Sequence, residues 1–163
     1  MWNCWQIKEY RFLKVSYKSK VNWKLESDYL CCSPLFHNLP RYDFIIVQVS
    51  GGLGQPPRHI FAQLCFVFQC RVATSKYAMA LIQPYDALLG TTHRRRDKAL
   101  CFYRVRSQPR KSSEFISVES IVRGALLVQA YGSDGEFLVV DVVDADMWLR
   151  MKEIRSNSSS SST

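Results

Sequence analysis

The chain has 163 residues, enough for one domain with a buried core. Its 47% hydrophobic and 13% aromatic residues exclude an intrinsically disordered protein. The 22 lysines and arginines outnumber the 14 acidic residues, so the net charge is +8 and polyanionic partners such as nucleic acid are favoured. No apolar run approaches the roughly 18 residues of a membrane span, so we expect no membrane partner.

Six cysteines are spread along the chain without the paired spacing of a zinc site. The first residues, from Met1 to Lys8, lack the apolar core of a signal peptide. We therefore expect reduced thiols and an intracellular location, which could be the nucleus if the protein binds DNA. Cys65, Cys70 and Cys101 fall in strand patterns and are interpreted as small core residues.

The N-terminal part predicts a β-hairpin. Apolar and polar residues alternate from residue 12 to 18 and again from 21 to 26, which is typical of half-buried strands. Residues 18–20 are the predicted connection, and a helix is the alternative for the second stretch. Two prolines within residues 32–40 predict a loop.

Further strands are predicted at residues 44–49, 60–70, 77–82, 100–106, 115–118 and 137–143. Between them we expect a turn at 50–57, an exposed basic loop at 90–98 and one helical turn at 119–123. The pattern predicts an all-β fold, a small barrel with one or two short helical turns. The domain spans residues 10–154, after an irregular segment at 1–9 and before a serine-rich, disordered tail at 155–163.

Residues 94–111 carry eight lysines and arginines and one acid, Asp97. Arginine binds phosphate through its fork of donors, and neighbouring aromatic rings can stack on bases. The predicted nucleic-acid-binding residues are Arg94, Arg95, Arg96, Arg104 and Arg106, with Tyr103 stacking or lining a groove. The alternative is a solvated segment whose charge deters edge-to-edge strand pairing.

The acidic C-terminal part offers a weaker candidate. Asp141, Asp144 and Asp146 could hold a hard cation for phosphoryl chemistry, but they lack the glycine and ligand spacing of a calcium loop. We favour carboxylates that pair with the arginines. Because no phosphate loop, metal framework or activated nucleophile is evident, we predict no enzyme, no cofactor and no small-molecule substrate.

The chain contains the short motifs Trp23-Lys24-Leu25, Ser33-Pro34, Pro40-Arg41-Tyr42-Asp43, Tyr103-Arg104-Val105-Arg106 and Asp146-Met147-Trp148-Leu149-Arg150. Together they resemble a C-terminal, β-rich module of proteins associated with DNA transposons in mushroom-forming fungi. The strand layout is more loosely similar to the bromo-adjacent-homology and SH3-like barrels of chromatin proteins.

The resemblance implies a non-catalytic interaction module derived from a transposable-element protein, which binds DNA or chromatin. Three alternatives stay open. The chain could be a protein–protein interaction module, a relic of a transposase-like protein, or a metal-dependent phosphoryl-transfer fragment that uses the three aspartates.

Overall fold

Strands account for most of the chain. The computed structural model describes residues 6–52, 54, 57–89 and 94–160, and the side chains of Gln6, Arg94 and residues 158–160 lie outside this description. The strands are β1 (Gln6–Tyr10), β2 (Phe12–Lys18), β3 (Leu25–Phe36), β4 (Leu39–Tyr42), β5 (Phe44–Val49), β6 (Arg58–Val72), β7 (Ser75–Pro84), β8 (Tyr103–Arg106), β9 (Glu114–Ser117), β10 (Ile121–Ala125), β11 (Leu127–Gln129) and β12 (Glu136–Val139). The helices are α1 (Arg94–Ala99) and α2 (Ala145–Ser160), with 3-10 turns at Arg110–Ser112 and Val118–Ser120.

The central sheet is antiparallel, with strand order β10-β5-β6-β7-β9, and β1 pairs with the second half of β6. Neighbouring residues of a strand point to opposite faces of its sheet. In β5, Ile45 is 0% exposed and its neighbour Ile46 is 1% exposed. The central sheet is therefore covered on both faces at β5.

Two smaller sheets supply this cover. The β2-β3-β4 sheet contributes Val15 and Leu30 to a core with Ile45 on one face. The β11-β12-β8 sheet and α2 form a second core with Ile46 and Phe61 on the opposite face. Each large apolar side chain buried in these cores contributes about 1.5–3 kcal/mol, so the three layers hold one another in place.

The prediction of a mostly β domain is confirmed, but the barrel is not what the described strands form. Their sheets remain open, and none of them closes on itself. Closure is unnecessary because the layers on either side already bury the apolar faces of the central sheet.

Local predictions have mixed outcomes. The strand at 44–49 coincides with β5, and β2 matches the first strand of the predicted hairpin. The predicted loop at 32–40 is wrong, since β3 continues to Phe36. Residues 90–93 of the predicted exposed loop lie outside the described residues, and Arg94–Ala99 is a helix. The helical turn predicted at 119–123 is present as a 3-10 turn up to Ser120, and β10 begins at Ile121. Helix α2 continues to Ser160, into the segment predicted to be disordered from residue 155.

On the Phe61 side, no other described residues cover one half of the central sheet. A bulge between Leu64 and Phe66 keeps Phe66 and Phe68 on the same face as Phe61. Beyond the reach of α2 and β8, this face carries half-buried or exposed apolar side chains of β1, β6, β7 and β9. We call it the outer apolar face; its members are Ile7, Phe66, Phe68, Tyr77, Met79, Leu81 and Phe115.

Candidate nucleic-acid interface

A network of three charged side chains anchors α1 on the outer face of the β11-β12-β8 sheet. The Arg104 guanidinium donates to both carboxylate oxygens of Asp97 at 2.7 and 2.9 Å and to Glu136 at 3.1 Å. The side chains are 11–12% exposed. The bonds to Asp97 raise the pKa of Arg104 against the opposing effect of burial. A bidentate pair of this kind sets the orientation of its two groups in addition to stabilising their contact, so Arg104 positions α1.

The anchoring of Asp97 determines what α1 presents to solvent. Successive helical residues are about 100° apart, so Arg95 lies opposite Asp97 while Arg96 and Lys98 flank it. All three are exposed, as is Arg106, which follows Arg104 on the same face of β8. We call Arg95, Arg96, Lys98 and Arg106 the α1–β8 surface. Among the described residues, none of these four pairs with a carboxylate, so their charge faces solvent.

The other predicted site residues are placed differently. The prediction that Arg104 faces solvent is wrong, because its side chain is 11% exposed and its charge is matched by Asp97 of α1 and by Glu136. Tyr103 is half-buried and packs on Phe61, with 5.8 Å between the ring centroids. The side chain of Arg94 lies outside the described residues.

A cleft of about 970 Å³ adjoins the α1–β8 surface, at the start of β6 and the end of β7. Tyr103, Phe61 and Tyr85 supply apolar rings, while Arg58 and His59 supply basic groups. Asp86 stands at 3.5 Å from Arg58. Burial lowers the pKa of His59, so its ring is neutral at pH 7. Tyr103 thus lines this cleft while its half-buried ring also packs against the second core.

The candidate metal residues are engaged by arginines. Asp144 accepts from Arg123 at 2.8 and 3.0 Å, and Asp146 accepts from Arg123 at 2.8 Å. Asp141 accepts from Arg155 of α2 instead, at 2.7 Å. Within the described part of the chain, no three His, Cys, Asp or Glu side chains are grouped to hold a metal ion. The preferred interpretation, carboxylates paired with arginines, is correct, but the partners lie outside the basic segment 94–111.

The charge cluster around Arg123 is not predictable from sequence patterns. Arg123 is 5% exposed, and its guanidinium lies 4.6 Å from the centroid of Tyr17. Asp28 lies 3.3 Å away, on β3. The bonds from Arg123 lower the pKa of Asp144. Burial raises the pKa of Asp146, but bonds from Arg150, the Lys20 N–H and Arg123 outweigh it and lower the pKa overall. The cluster ties β3, β10 and α2 together.

Comparison with family models, with curated proteins and with solved structures finds no match to this chain. Neither α1 nor α2 combines the length and apolar character that crossing a membrane requires.

Proposed function

We propose that this chain is a non-catalytic nucleic-acid-binding module whose α1–β8 surface contacts the phosphates of duplex DNA. The observation that carries the proposal is that one arginine of this region is paired with carboxylates while its neighbours are exposed. Arg104 is neutralised by Asp97 and Glu136 and holds α1, while Arg95, Arg96 and Arg106 keep their charge exposed. Because an anchored helix is already ordered, its exposed arginines can contact a phosphate backbone with little further loss of conformational entropy.

Two further features support a nucleic-acid partner. The net charge of +8 favours encounter with a polyanion at any orientation. The 3-10 turn after β8 adds exposed Arg110 and Lys111 to the same stretch of chain. The resemblance to transposon-associated modules agrees with a DNA partner, and the looser one to barrels of chromatin proteins agrees with a chromatin setting.

Replacing Arg95, Arg96 and Arg106 together with alanine should weaken duplex binding and flatten its salt dependence. If each arginine contacts one phosphate, the log–log slope of affinity against salt should shrink by up to about 2.7, three times the roughly 0.9 expected per phosphate. Fluorescence anisotropy of a labelled duplex over a salt series measures this slope. The loss should be similar for unrelated duplex sequences, because phosphate contacts carry no sequence information.

A control variant removes the same charge elsewhere. Lys8, Arg71 and Lys76 are exposed at the far end of the central sheet, near the β6–β7 turn. Their replacement with alanine should leave most of the salt slope intact. If both triple variants lose the same amount of duplex affinity and salt slope, binding depends on net charge alone and the α1–β8 surface is not the interface.

A protein-binding module is the second candidate, and the outer apolar face is the observation that favours it. Phe68 and Phe115 meet edge-to-face at 5.7 Å, and Phe115 is 64% exposed. Apolar patches of this kind on a sheet often mark protein contacts. If two copies associate through this face, sedimentation velocity should show a dimer that persists at high salt, and Phe115→Glu should return it to monomer. A monomer at all concentrations would remove self-association from consideration.

A further inference from the structure

The β2–β3 hairpin has an outward face that neither core uses. Alternation along β2 sends Val15 and Tyr17 inward, whereas Lys14 and Lys18 point outward. Across the pair, Lys14 stands opposite Tyr29, whose side chain is likewise exposed. The positions that share the outward face are Phe12, Lys14, Ser16, Lys18, Leu25, Ser27, Tyr29 and Cys31.

Aromatic and basic groups are in direct contact on this face. The Lys14 ammonium lies 5.6 Å from the centroid of Tyr29, which is 70% exposed. The Lys18 ammonium lies 5.4 Å from Trp23, at the hairpin turn, which is 69% exposed. No outward position of β2 or β3 is acidic. The hairpin's two carboxylates turn inward, where Glu26 and Asp28 approach the Tyr17 hydroxyl.

The turn displays Trp23 at a cost. Its φ of 62° lies in the left-handed region, which bulky side chains rarely adopt. The Trp23 N–H donates to the Ser19 carbonyl at 2.9 Å, and the Asn22 carboxamide oxygen accepts from the Lys24 N–H at 2.9 Å. Ser19 itself is 1% exposed. A hydrogen-bonded turn that begins at buried Ser19 thus holds in solvent a large ring that adds little to either core.

We propose that the outward face of the β2–β3 hairpin binds single-stranded nucleic acid. Bases stack on Trp23 and Tyr29, and Lys14 and Lys18 leave these rings to contact the adjoining phosphates. The two lysines are four residues apart along β2, which is about 13 Å at the usual strand rise. Exposed rings with cations beside them form a platform that accepts any base, because every base has a π-face.

The face suits single strands better than a duplex. In a duplex each base face is covered by its neighbours, so exposed side-chain rings have nothing to stack on. This site is separate from the α1–β8 surface and does not rest on the function proposed for it. The two surfaces can therefore be tested independently in the same protein.

The test uses the full chain and a fluorescein-labelled oligothymidylate of about 16 nucleotides, the upper end of a single-fold site. Anisotropy reports affinity, and quenching of tryptophan fluorescence reports stacking. Trp23→Ala/Tyr29→Ala should weaken binding at least about tenfold and reduce the quenching, given the usual contribution of one stacked base. Trp23→Phe/Tyr29→Phe should retain most of the affinity because the rings remain. Lys14→Gln/Lys18→Gln should lower the salt slope.

Tyr131→Ala is the control, since it removes a fully exposed aromatic ring elsewhere. Its affinity for oligothymidylate should equal that of the unmodified chain. Thermal melting of each variant should be unchanged, because the replaced rings lie outside both cores.

The proposal is overturned if the chain does not bind oligothymidylate, or if Trp23→Ala/Tyr29→Ala binds it unchanged. It is also overturned if the only variant that loses the single strand is Arg95→Ala/Arg96→Ala/Arg106→Ala. Loss of duplex binding in that triple variant, with oligothymidylate binding retained, would support two separate sites. Loss of oligothymidylate alone in the hairpin variant would support this proposal even if duplex binding is absent.

Discussion

Replacing Arg123 with methionine should lower the free energy of unfolding by about 3–5 kcal/mol, the usual cost of leaving buried charges without their partner. Arg123 is 5% exposed, and Asp146, one of the two carboxylates to which it donates, is 3% exposed. Methionine fills a similar volume but donates no hydrogen bond. The variant would therefore keep the carboxylates of Asp144 and Asp146 in place without the bonds that Arg123 donates to them. Urea unfolding measures the loss as a lower midpoint at an unchanged m value.

The acid limb of the stability profile should change with it. The pKa values of Asp144 and Asp146 are lowered in the folded chain. A carboxylate with a lowered folded pKa contributes stability above its unfolded pKa of about 3.9 and loses it as the pH falls through the folded value. The unmodified chain should thus lose stability below about pH 4. In the methionine variant this loss should shrink, because the bonds by which Arg123 lowers the pKa of Asp144 and contributes to lowering that of Asp146 are gone.

A surface pair supplies the comparison. Arg41 bonds Asp43 at 2.9 Å, but its side chain is 47% exposed. Arg41→Met should cost at most about 1 kcal/mol, as is usual for exposed ion pairs. If Arg123→Met costs no more than this, the cluster's Coulombic gain does not exceed its desolvation penalty, and the cluster is not what holds β10 to α2.

The pattern of apolar residues was sufficient to locate two strands. Alternation predicts β2 with its observed bounds, and the continuous apolar run from Phe44 to Val47 predicts β5. The pattern fails at residues 32–36, where Pro34 argues for a loop; Pro34 is exposed on β3, and its missing N–H is tolerated there. It also misplaces the hairpin turn, which spans Ser19 to Lys24 and takes Trp23 out of the second strand.

The charged partnerships could not be predicted, since they join residues far apart in the chain. Asp28 and Arg123 meet across 95 positions, and Arg104 and Glu136 across 32. Alternation correctly assigns Arg104 and Arg106 to the same face of β8. It does not predict that Asp97 of α1 pairs with Arg104 and leaves Arg106 exposed. Which arginine is free to bind a partner is thus a tertiary property.

The missed helix α2 did leave a signal. Met147, Met151 and Ile154 recur at intervals of four and three, which is the spacing of one helix face. The serines that follow argue for disorder instead, because they favour turns over helix interiors. In the structure all three apolar side chains are buried in the core with Phe61 and Ile46. Tertiary packing therefore decides what local propensity leaves open.

Met151→Ala should lower the free energy of unfolding by about 2–5 kcal/mol, the range for large-to-alanine changes in a well-packed core. Met151 is 0% exposed and sits at the centre of the helix face that covers Ile46. Neighbouring bonds restrict collapse around the cavity, since Arg150 donates to Asp146 and to the Lys18 carbonyl. Urea unfolding again provides the measurement, with exposed Lys152→Ala as the control in the next position of the same helix.

The comparison separates two accounts of the C-terminal segment. If the residues after Val143 were a tail without a core role, Met151→Ala and Lys152→Ala would have equal and negligible effects. If α2 closes the second core, only Met151→Ala destabilises, and it does so in the layer that carries Tyr103 and the cleft beside the α1–β8 surface. Duplex binding by Met151→Ala at a temperature where it remains folded should then be unchanged, because Asp97 of α1 is bonded to Arg104 of β8.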